Sequence, residues 1–577
     1  YSNPVNNKND NPRIFLKSIL KPLKGLEAVF EYTFDKNIYD YHWYTGQYDY
    51  TTIQGGSSKS FVDDYLRKYK QHTNYNSINV YATYNKDFGN HHFKVMAGFN
   101  QESSYQETLD TYSYNQAVLD VPAMSSGTGT IKATDSYSEY AIRGGFFRVN
   151  YNYLDKYLLE VNGRYDSSSK FPKSSRFGFF PSVSAGWQIA QERFMNSTRH
   201  WLDGLKLRAS YGVIGNQNIN PYTFTPSMSV NNKATSWIID DTYVTSISSL
   251  PALVSQNFTW EKVGTINVGL DVNLFNNRLS GVFEWYQRNT NGMLAPGVQL
   301  PAVVGASAPY QNTADMRTRG WELSLNWRDQ IGKVGYRIGF NLSDYKSEII
   351  KYDDNAATKL LSSYYPGQTL GEICGYVVDG YYTVDDFVDT SSWQLKEGVT
   401  SINGYNVRPG DVKFKNLRDD DTSTNVITSG DNTFDNPGDR KVIGNTTPRY
   451  QYGINLGMNY AGFDLNVILQ GTGKRDYWIS NVLTFPMNGD NFVPLFEGLS
   501  DYWMPKDPDN GDWSAVNPNA KYPRIYGNRG NSGSNLRQSD KYLSDASYLR
   551  IKNITLSYKL PKKWVNQIFL NQMKAFV

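Results

Sequence analysis

The sequence predicts an all-β fold, an antiparallel β-barrel that crosses a membrane with its strands. Three observations predict it. Long segments alternate between apolar and polar residues. Short turns alternate with long loops along the chain, and the composition favours strands and turns. The chain has 577 residues, of which 45 are Tyr and 47 are Gly. Aromatic residues favour strands and glycine favours turns. No apolar run is long enough for a transmembrane helix.

The stretch "KYLLEVNGRYDSSSKF" shows the alternation in its clearest form. Tyr157, Leu159 and Tyr165 share one parity, whereas the charged residues of this stretch fall on the other. Successive side chains of a strand point to opposite faces. One face of this strand is therefore apolar, and the opposite face carries formal charges.

The same alternation recurs along the whole chain, for example in residues 177–189, 205–213, 266–274 and 321–328. It defines about sixteen segments of roughly 9 to 15 residues, compared with about 5 or 6 in an ordinary strand. Strands of this length are typical of a sheet that crosses a bilayer.

The connections are of two kinds. Tight ones, such as Phe88-Gly89-Asn90 and Leu154-Asp155-Lys156, contain residues that tolerate turn geometry. Long loops lie between these tight turns, at residues 109–136, 217–258, 291–316, 347–446 and 479–541. Short turns at one end of a sheet and long loops at the other are typical of an outer-membrane barrel.

The two faces of such a barrel meet different solvents. An arginine on the lipid face at mid-membrane would cost about 2 to 4 kcal/mol. The polar parity must then face a wet lumen, and the apolar parity must face lipid. The residues predicted to face the lumen are Glu160, Arg164, Asp166 and Arg208.

Charge and motif content exclude several functions. The net charge is +3, and no basic block is long enough to follow a phosphate backbone, so nucleic acid is not an expected partner. Cys374 is a lone cysteine, and the adjacent pair His91 and His92 would point to opposite faces of a strand. We therefore expect neither an enzyme nor a histidine metal centre.

A weak metal motif lies in "NLRDDDTST", where Asp419 and Asp421 occupy alternate positions as the ligands of a calcium loop do. The glycine and the terminal glutamate of an EF-hand loop are missing. A structural Ca²⁺ site and a solvated acidic loop are both compatible with this stretch, and no other cofactor is expected.

The long loops are rich in aromatic residues, whose flat faces suit stacking on sugars or peptides. Packing within the loops is the alternative role of the same residues. The candidates for substrate binding are Trp237, Tyr243, Tyr376, Tyr381, Trp393 and Trp478.

Several stretches resemble one family when they are taken in chain order. They include "RFGFFPSVSAGW", "LKLRASYGVIGNQNI", "WEKVGTINVGLD", "PGQTLGEICGYVVDGYY" and "SDASYLRIKNITLSYKLPKKW". The chain is similar over nearly its whole length to the SusC/RagA class of TonB-dependent outer-membrane transporters of Bacteroidota. One departure is "RDDDTSTNVITSGDNTFDNPGD", where family members often carry a glycine-containing acidic run.

The resemblance implies that residues 1–577 are part of one TonB-dependent receptor β-barrel domain. The complete barrel would have about 22 strands and a plugged lumen. The plug, the TonB box and the final strands are expected to lie outside this sequence. The implied location is the outer membrane of a Gram-negative bacterium, in contact with its lipid.

The resemblance also implies active import of a large nutrient, an oligosaccharide or an oligopeptide. A SusD-like lipoprotein would cover the loops near residues 366–382 and 393–408, and TonB with ExbB and ExbD would pull on the plug. Two alternatives remain open: a passive outer-membrane porin, and a surface β-protein that binds glycans or mediates adhesion.

Overall fold

In the computed structural model, the chain forms two compact units. Unit 1 comprises residues 1–188, 208–265 and 300–312, and unit 2 comprises residues 189–207, 266–299 and 313–577. The structure describes residues 5–46, 49–50, 59–60, 64–118, 121–228, 230–231, 238–239, 242–243, 247–248, 251–255, 258–298, 300–355, 358–360, 364–418, 425–480, 497–526 and 533–577. Within those ranges, no helix has the length and apolarity needed to cross a bilayer.

Unit 1 is built from long strands. Those wholly within it are Val5–Asp10, Arg13–Leu23, Leu26–Thr45, Tyr65–Phe88, His91–Tyr114, Ile131–Tyr153, Tyr157–Ser168 and Phe177–Gln188. Its two-residue strands are Asp49–Tyr50, Lys59–Ser60, Val230–Asn231, Ile238–Ile239, Thr242–Tyr243 and Ile247–Ser248.

Unit boundaries fall within three further strands, Leu202–Asn216, Glu261–Leu274 and Tyr310–Ile331. The long strands wholly within unit 2 are Leu279–Pro296, Val334–Tyr352, Arg449–Tyr460, Phe463–Lys474 and Tyr548–Lys559. Its short strands are Glu372–Tyr376, Val378–Tyr381, Ser401–Ile402, Val412–Phe414, Val426–Ile427, Arg440–Asn445, Asp476–Trp478, Pro505–Asp507, Asp512–Ala515, Leu543–Asp545 and Lys574–Phe576.

In the part of the chain that the structure describes, helical structure is confined to short segments. An α-helix spans Lys562–Gln567. The 3₁₀ turns are Met124–Ser126, Lys173–Ser175, Ile189–Gln191, Arg193–Thr198, Ala302–Val304, Asp353–Asn355, Val384–Asp386, Glu497–Leu499, Pro508–Asn510 and Asp540–Tyr542. The prediction of an all-β, antiparallel fold is confirmed.

The predicted tight turns join paired strands. Tyr65–Phe88 pairs antiparallel with His91–Tyr114 along its full length, and Gly89 in the turn has a φ of 58°. Leu154 and Asp155 both have positive φ. That combination is the signature of a type I′ turn, whose twist matches that of the strands. Below, the end of a strand nearest such a turn is its turn end, and the opposite end is its loop end.

The strands of unit 1 are longer than the sequence pattern predicts. Tyr65–Phe88 and His91–Tyr114 have 24 residues each. Much of the expected loop at residues 109–136 is strand, because pairing continues to Tyr114 and resumes at Ile131. The predicted limit of about 15 residues was wrong because it followed the apolar face alone. Backbone hydrogen bonds continue to hold a hairpin together where the regular alternation of apolar and polar residues ends.

The apolar parity is exposed, as predicted. Val80, Phe99 and Tyr165 lie on one face, in one row across the paired strands, and are 46%, 43% and 54% exposed. In a soluble protein, large side chains of this kind would form the core. A continuous apolar face that remains exposed in the protein is instead the surface that contacts lipid.

Aromatic residues lie at the turn end of this apolar face. Tyr157 pairs with Trp187 on one side and with Tyr153 on the other, and the rings of Tyr153 and Tyr157 stack at 6.3 Å. Phe88 lies at the level of these aromatic residues, eight positions from Val80 along the same strand. That separation is about 27 Å along a strand, or about 20 Å after a tilt of about 40°. The apolar face therefore fits an outer-membrane bilayer.

A cation on this face should destabilise the protein. In the complete protein, Val183→Lys places an amine on the exposed face near mid-membrane, and we expect the free energy of unfolding to fall by about 2 to 4 kcal/mol. Ser184→Lys is the control, because Ser184 lies on the opposite face beside Glu160. Guanidinium unfolding in phospholipid vesicles measures both variants. Equal losses would contradict the assignment of the two faces.

Candidate functional site

The four residues predicted to face the lumen lie on the face opposite the exposed apolar side chains. Arg164 and Asp166 form a bidentate pair, with Nε to Oδ2 at 3.0 Å and Nη2 to Oδ1 at 2.9 Å. Glu160 accepts hydrogen bonds from Asn150 and Asn162. Arg208 is half-buried, whereas its neighbours Leu207 and Ala209 are exposed. Polar partners hold Glu160 near the turn end of its strand, whereas Arg164 and Asp166 pair with each other nearer the loop end of the same strand.

The loop end of the same polar face in unit 1 carries a group of aromatic side chains, which we call the aromatic ladder. The pairing register between its three strands is unbroken, so the parity that faces away from lipid at the turn end is preserved at the loop end. The members of the ladder are Tyr39, Tyr41, Trp43, Tyr65, Tyr69, Tyr112 and Tyr114.

The rings of the ladder touch one another edge to face or at a tilt. Trp43 contacts Tyr65 with ring centroids 6.2 Å apart, and Tyr65 contacts Tyr112 at 5.8 Å and Tyr114 at 5.6 Å. Tyr39 and Tyr69 meet at 5.9 Å in a T-shaped arrangement. Contacts of this kind fix the rings and leave them only half-buried, so they retain accessible surface.

One arginine organises the ladder. The guanidinium of Arg67 lies over the rings of Tyr41, Tyr69 and Tyr112, at 5.7, 5.7 and 5.3 Å from their centroids. The same group makes a bidentate contact with Asp110, through Nε at 3.0 Å and Nη2 at 2.9 Å. Since Asp110 neutralises Arg67, the ladder presents aromatic surface with little net charge.

Below the ladder, towards the turn end, the polar face is neutral. The side chains of the next two rows of paired residues are amides and hydroxyls, which can both donate and accept hydrogen bonds. These residues are Asn37, Gln71, Thr73, Gln106, Thr108, Ser136 and Ser138. Aromatic faces beside neutral hydrogen-bonding groups suit a ligand rich in hydroxyl or amide groups.

The ladder is absent from the sequence-based predictions, which place the binding residues in the loops. The signal was nevertheless present, as aromatic residues at alternate positions in "NIYDYHWY", "YLRKY" and "DTYSY". These stretches were assigned to loops or left unassigned, so their shared face was not recognised. Only the pairing register brings the three stretches side by side.

Some of the aromatic loop residues that the sequence predicts to bind substrate lie in unit 2, where their surroundings differ. Tyr376 is buried against Phe414 at 5.3 Å, in a loop core built on Tyr382 and other apolar residues. Tyr381 donates a hydrogen bond from its hydroxyl to the carbonyl oxygen of Ala520 at 3.0 Å. The ammonium of Lys541 lies 4.5 Å from the centre of the Tyr381 ring.

Trp393 packs against the same core. Its ring meets Phe387 at 5.3 Å and Trp513 at 5.0 Å. Trp478 packs partly buried against a separate cluster that contains Tyr542. Trp237 lies outside the described residues, and so does the side chain of Tyr243. Their roles in substrate binding stay predictions.

A buried carboxylate ties the loops of unit 2 together. Asp411 is 1% exposed and accepts hydrogen bonds from the Tyr526 hydroxyl at 2.7 Å, the Asn535 amide at 2.9 Å and the Arg408 backbone N–H at 2.7 Å. Burial raises the pKa of Asp411, and the hydrogen bonds from Tyr526 and Asn535 oppose that shift. Three distant loop segments are thus joined at one side chain.

The predicted calcium ligands Asp419 and Asp421 fall outside the described residues. Within the part of the chain that the structure describes, no three His, Cys, Asp or Glu side chains group as metal ligands would. The structural Ca²⁺ site stays a prediction.

Comparison with known proteins identifies the family. The family model for the TonB-dependent receptor-like β-barrel matches residues 3–572. The chain belongs to this family. Its members are receptors of the outer membrane and not enzymes, so the predicted location in the outer membrane is confirmed.

Two curated relatives cover most of the chain. TonB-dependent receptor P3 of Formosa agariphila is 28% identical over 552 residues, which are 92% of this chain and 50% of that protein. TonB-dependent receptor SusC of Bacteroides thetaiotaomicron is 27% identical over 509 residues, or 85% of this chain and 45% of that protein. The chain thus spans about half the length of the curated relatives it matches.

The fold of this TonB-dependent receptor-like β-barrel is also found in solved structures. The RagAB peptide importer in its closed-closed state matches with a TM-score of 0.77 and 20% identity, over 100% of this chain and 58% of that chain. Its open-open state matches with a TM-score of 0.78 and 21% identity, over 100% and 57%. At this identity the match establishes the fold, and it agrees with the resemblance to the SusC/RagA class.

Removal of Asp411 should loosen the loops of the receptor and leave its strands intact. In Asp411→Ala, the Tyr526 hydroxyl and the Asn535 amide lose their acceptor, at a cost of about 1 to 3 kcal/mol for each group left buried without a partner. We expect limited proteolysis within residues 364–418 and 497–526 to become at least about tenfold faster.

The control is Asp509→Ala, which removes an exposed carboxylate from the same unit. Heat-modifiable migration on gels reports whether the strands remain folded in both variants. Unchanged proteolysis of Asp411→Ala would show that the loops do not depend on this carboxylate.

Proposed function

We propose that the complete protein imports a large nutrient, an oligosaccharide or an oligopeptide, across the outer membrane in a TonB-dependent manner. Membership of the TonB-dependent receptor-like β-barrel family supports this proposal. The observation that carries it is the aromatic ladder on the polar face of unit 1. Its rings stand half-exposed at the loop end, where a nutrient from outside the cell would enter.

The ladder suits a large ligand because its contact area is extended. Seven aromatic side chains from three neighbouring strands form it, and each strand contributes at alternate positions. Alternate residues of a strand are about 6.7 Å apart, so the ladder extends over several sugar units or amino acids. The neutral rows below it offer the ligand hydrogen bonds as it moves inward.

The proposal includes two sets of partners. A SusD-like lipoprotein would cover the loops, and TonB with ExbB and ExbD would drive release through the plug. The loop core around Tyr382 and the Asp411 network give the region near residues 366–408 a fixed shape. A preformed loop surface lowers the entropic cost of binding a protein lid.

Two kinds of substrate fit this site. RagAB, which has the same fold, is a peptide importer. The ladder and the neutral rows are equally suited to sugars, because flat rings stack on pyranose faces and amides or hydroxyls pair with sugar hydroxyls. Our proposal therefore includes both oligosaccharides and oligopeptides.

Uptake in the native host tests the proposed transport. A strain that lacks the gene, complemented with the wild-type gene, is supplied with fluorescent oligosaccharide and oligopeptide pools. We expect uptake of one pool to be restored, and to stop when TonB is deleted or the proton-motive force is collapsed. Restored uptake that is independent of TonB would indicate a passive porin, and surface binding without uptake would indicate an adhesion protein.

The ladder can be tested in the same assay. Trp43→Ala and Tyr112→Ala each remove aromatic contact area worth about 1 kcal/mol, so the substrate concentration for half-maximal uptake should rise about fivefold in each. The control is Tyr137→Ala, which removes an exposed ring from the opposite face of the strand Ile131–Tyr153. Equal effects of all three changes would contradict a binding role for the ladder.

A further inference from the structure

One row of paired residues at the turn end of unit 1 carries a ring on every strand. The row consists of Phe88, His91, Tyr153, Tyr157 and Trp187, one from each of five neighbouring strands. Phe88 has the parity of Val80, so the row belongs to the exposed apolar face. Short turns of outer-membrane barrels face the periplasm, and rings mark the membrane interface. This row therefore lies at the headgroup level of the periplasmic leaflet.

The contacts between these rings and their neighbours form one continuous outward surface. The rings of Phe88 and Phe93 meet at 6.2 Å, and those of Phe93 and Tyr151 meet at 4.8 Å. The His91 ring lies 4.6 Å from that of Tyr153. Phe93 and Tyr151 pair with each other in the next row of this face towards the loop end, so the surface is two rows deep.

One cation interrupts the apolar face at this surface. Lys86 is exposed and has the same parity as Val80 and Phe88. Its ammonium lies 5.4 Å from the centre of the Phe88 ring, so the side chain extends along the strand to the aromatic row. A lysine that extends to the headgroup level in this way keeps its charge out of the hydrocarbon.

No carboxylate balances this cation on the outward face of the five strands. From the level of Val80 to the turn ends of these described strands, every outward residue is uncharged apart from Lys86 and, when protonated, His91. Asp87, the acidic neighbour in the chain, has the opposite parity and contacts Nδ1 of His92 at 2.7 Å. The outward surface therefore carries a net positive charge.

His91 adds a second donor beside Lys86. Its Nδ1 lies 2.9 Å from the Tyr151 hydroxyl. With that hydroxyl as donor, a neutral ring carries its proton on Nε2, and Nε2–H can donate to an anion. Lys86 pairs with Phe93 and His91 pairs with Phe88, so the two residues are diagonal neighbours about 7 to 8 Å apart. One phosphate group fits between a flexible lysine and an imidazole at that spacing.

The position and the charge of the surface determine the chemistry of its ligand. The ligand must carry a negative charge at the headgroup level, and its apolar part must continue along the lipid-contacting face. Phe93 and Val95, which are 38% and 41% exposed, would contact its acyl chains. We propose that Lys86 and His91 bind the phosphodiester of a glycerophospholipid in the periplasmic leaflet. This inference does not rest on the proposed transport.

Native mass spectrometry of the complete protein in detergent tests the site, with phosphatidylglycerol as the probe. We expect the wild-type protein to retain the lipid and Lys86→Gln to lose about fivefold in bound fraction. The double variant with Lys86→Gln and His91→Gln should lose at least about tenfold. Diacylglycerol, which lacks the phosphate, should bind the wild-type protein no better than phosphatidylglycerol binds the double variant.

Lys94→Gln is the matched control, because it removes an exposed cation near the same level on the polar face. It should bind phosphatidylglycerol within twofold of the wild type. Lys86→Arg, which keeps the charge, should do the same, and heat-modifiable migration shows that each variant is folded. Equal retention by all variants would overturn the proposal, and so would equal binding of diacylglycerol or full competition by soluble glycerol 3-phosphate.

Discussion

Backbone hydrogen bonding in a medium without water is the constraint on which the rest of this structure depends. Every N–H and C=O within the bilayer must find a partner inside the protein, and long antiparallel strands provide it. Tyr65–Phe88 is paired on both sides, with Leu26–Thr45 and with His91–Tyr114. Because these registers are unbroken, each strand keeps its two faces separate from the turn end to the loop end. That separation allows one side of the sheet to contact lipid while the other side stays polar.

Each face is then divided into zones along the strands. On the polar face, Glu160 lies near the turn end, and the pair of Arg164 and Asp166 lies nearer the middle of the long strands. Neutral amides and hydroxyls follow, and the aromatic ladder lies at the loop end. On the lipid side, Val80, Phe99 and Tyr165 lie in one row, and the next row towards the loop end mixes the apolar Ile78 and Phe177 with polar residues. The strands extend beyond the bilayer because backbone pairing, unlike burial, does not require apolar side chains. The extension carries the aromatic ladder beyond the neutral rows to the loop end of the strands.

The loops of unit 2 are stabilised by packing of their own side chains, in clusters of buried residues. A buried apolar core contains Tyr382 and Phe414, and Asp411 links segments that are distant in the chain. Several aromatic residues that looked like binding groups, such as Tyr376, belong to this core. A loop with its own core can hold a fixed surface, which a protein partner needs and a flexible loop does not provide.

The sequence by itself determined the all-β class, the two faces, the tight turns and the family, because each of these depends on local alternation and turn chemistry. The polar parity of Glu160, Arg164, Asp166 and Arg208 could be assigned for the same reason. Tertiary structure alone decided the length of the strands, the burial of Tyr376 and the existence of the ladder. Tyr39, Arg67 and Tyr112 lie far apart in the chain, and only the pairing register makes them neighbours. Long-range register is an outcome of the whole sheet, so no local pattern of residues could have specified it.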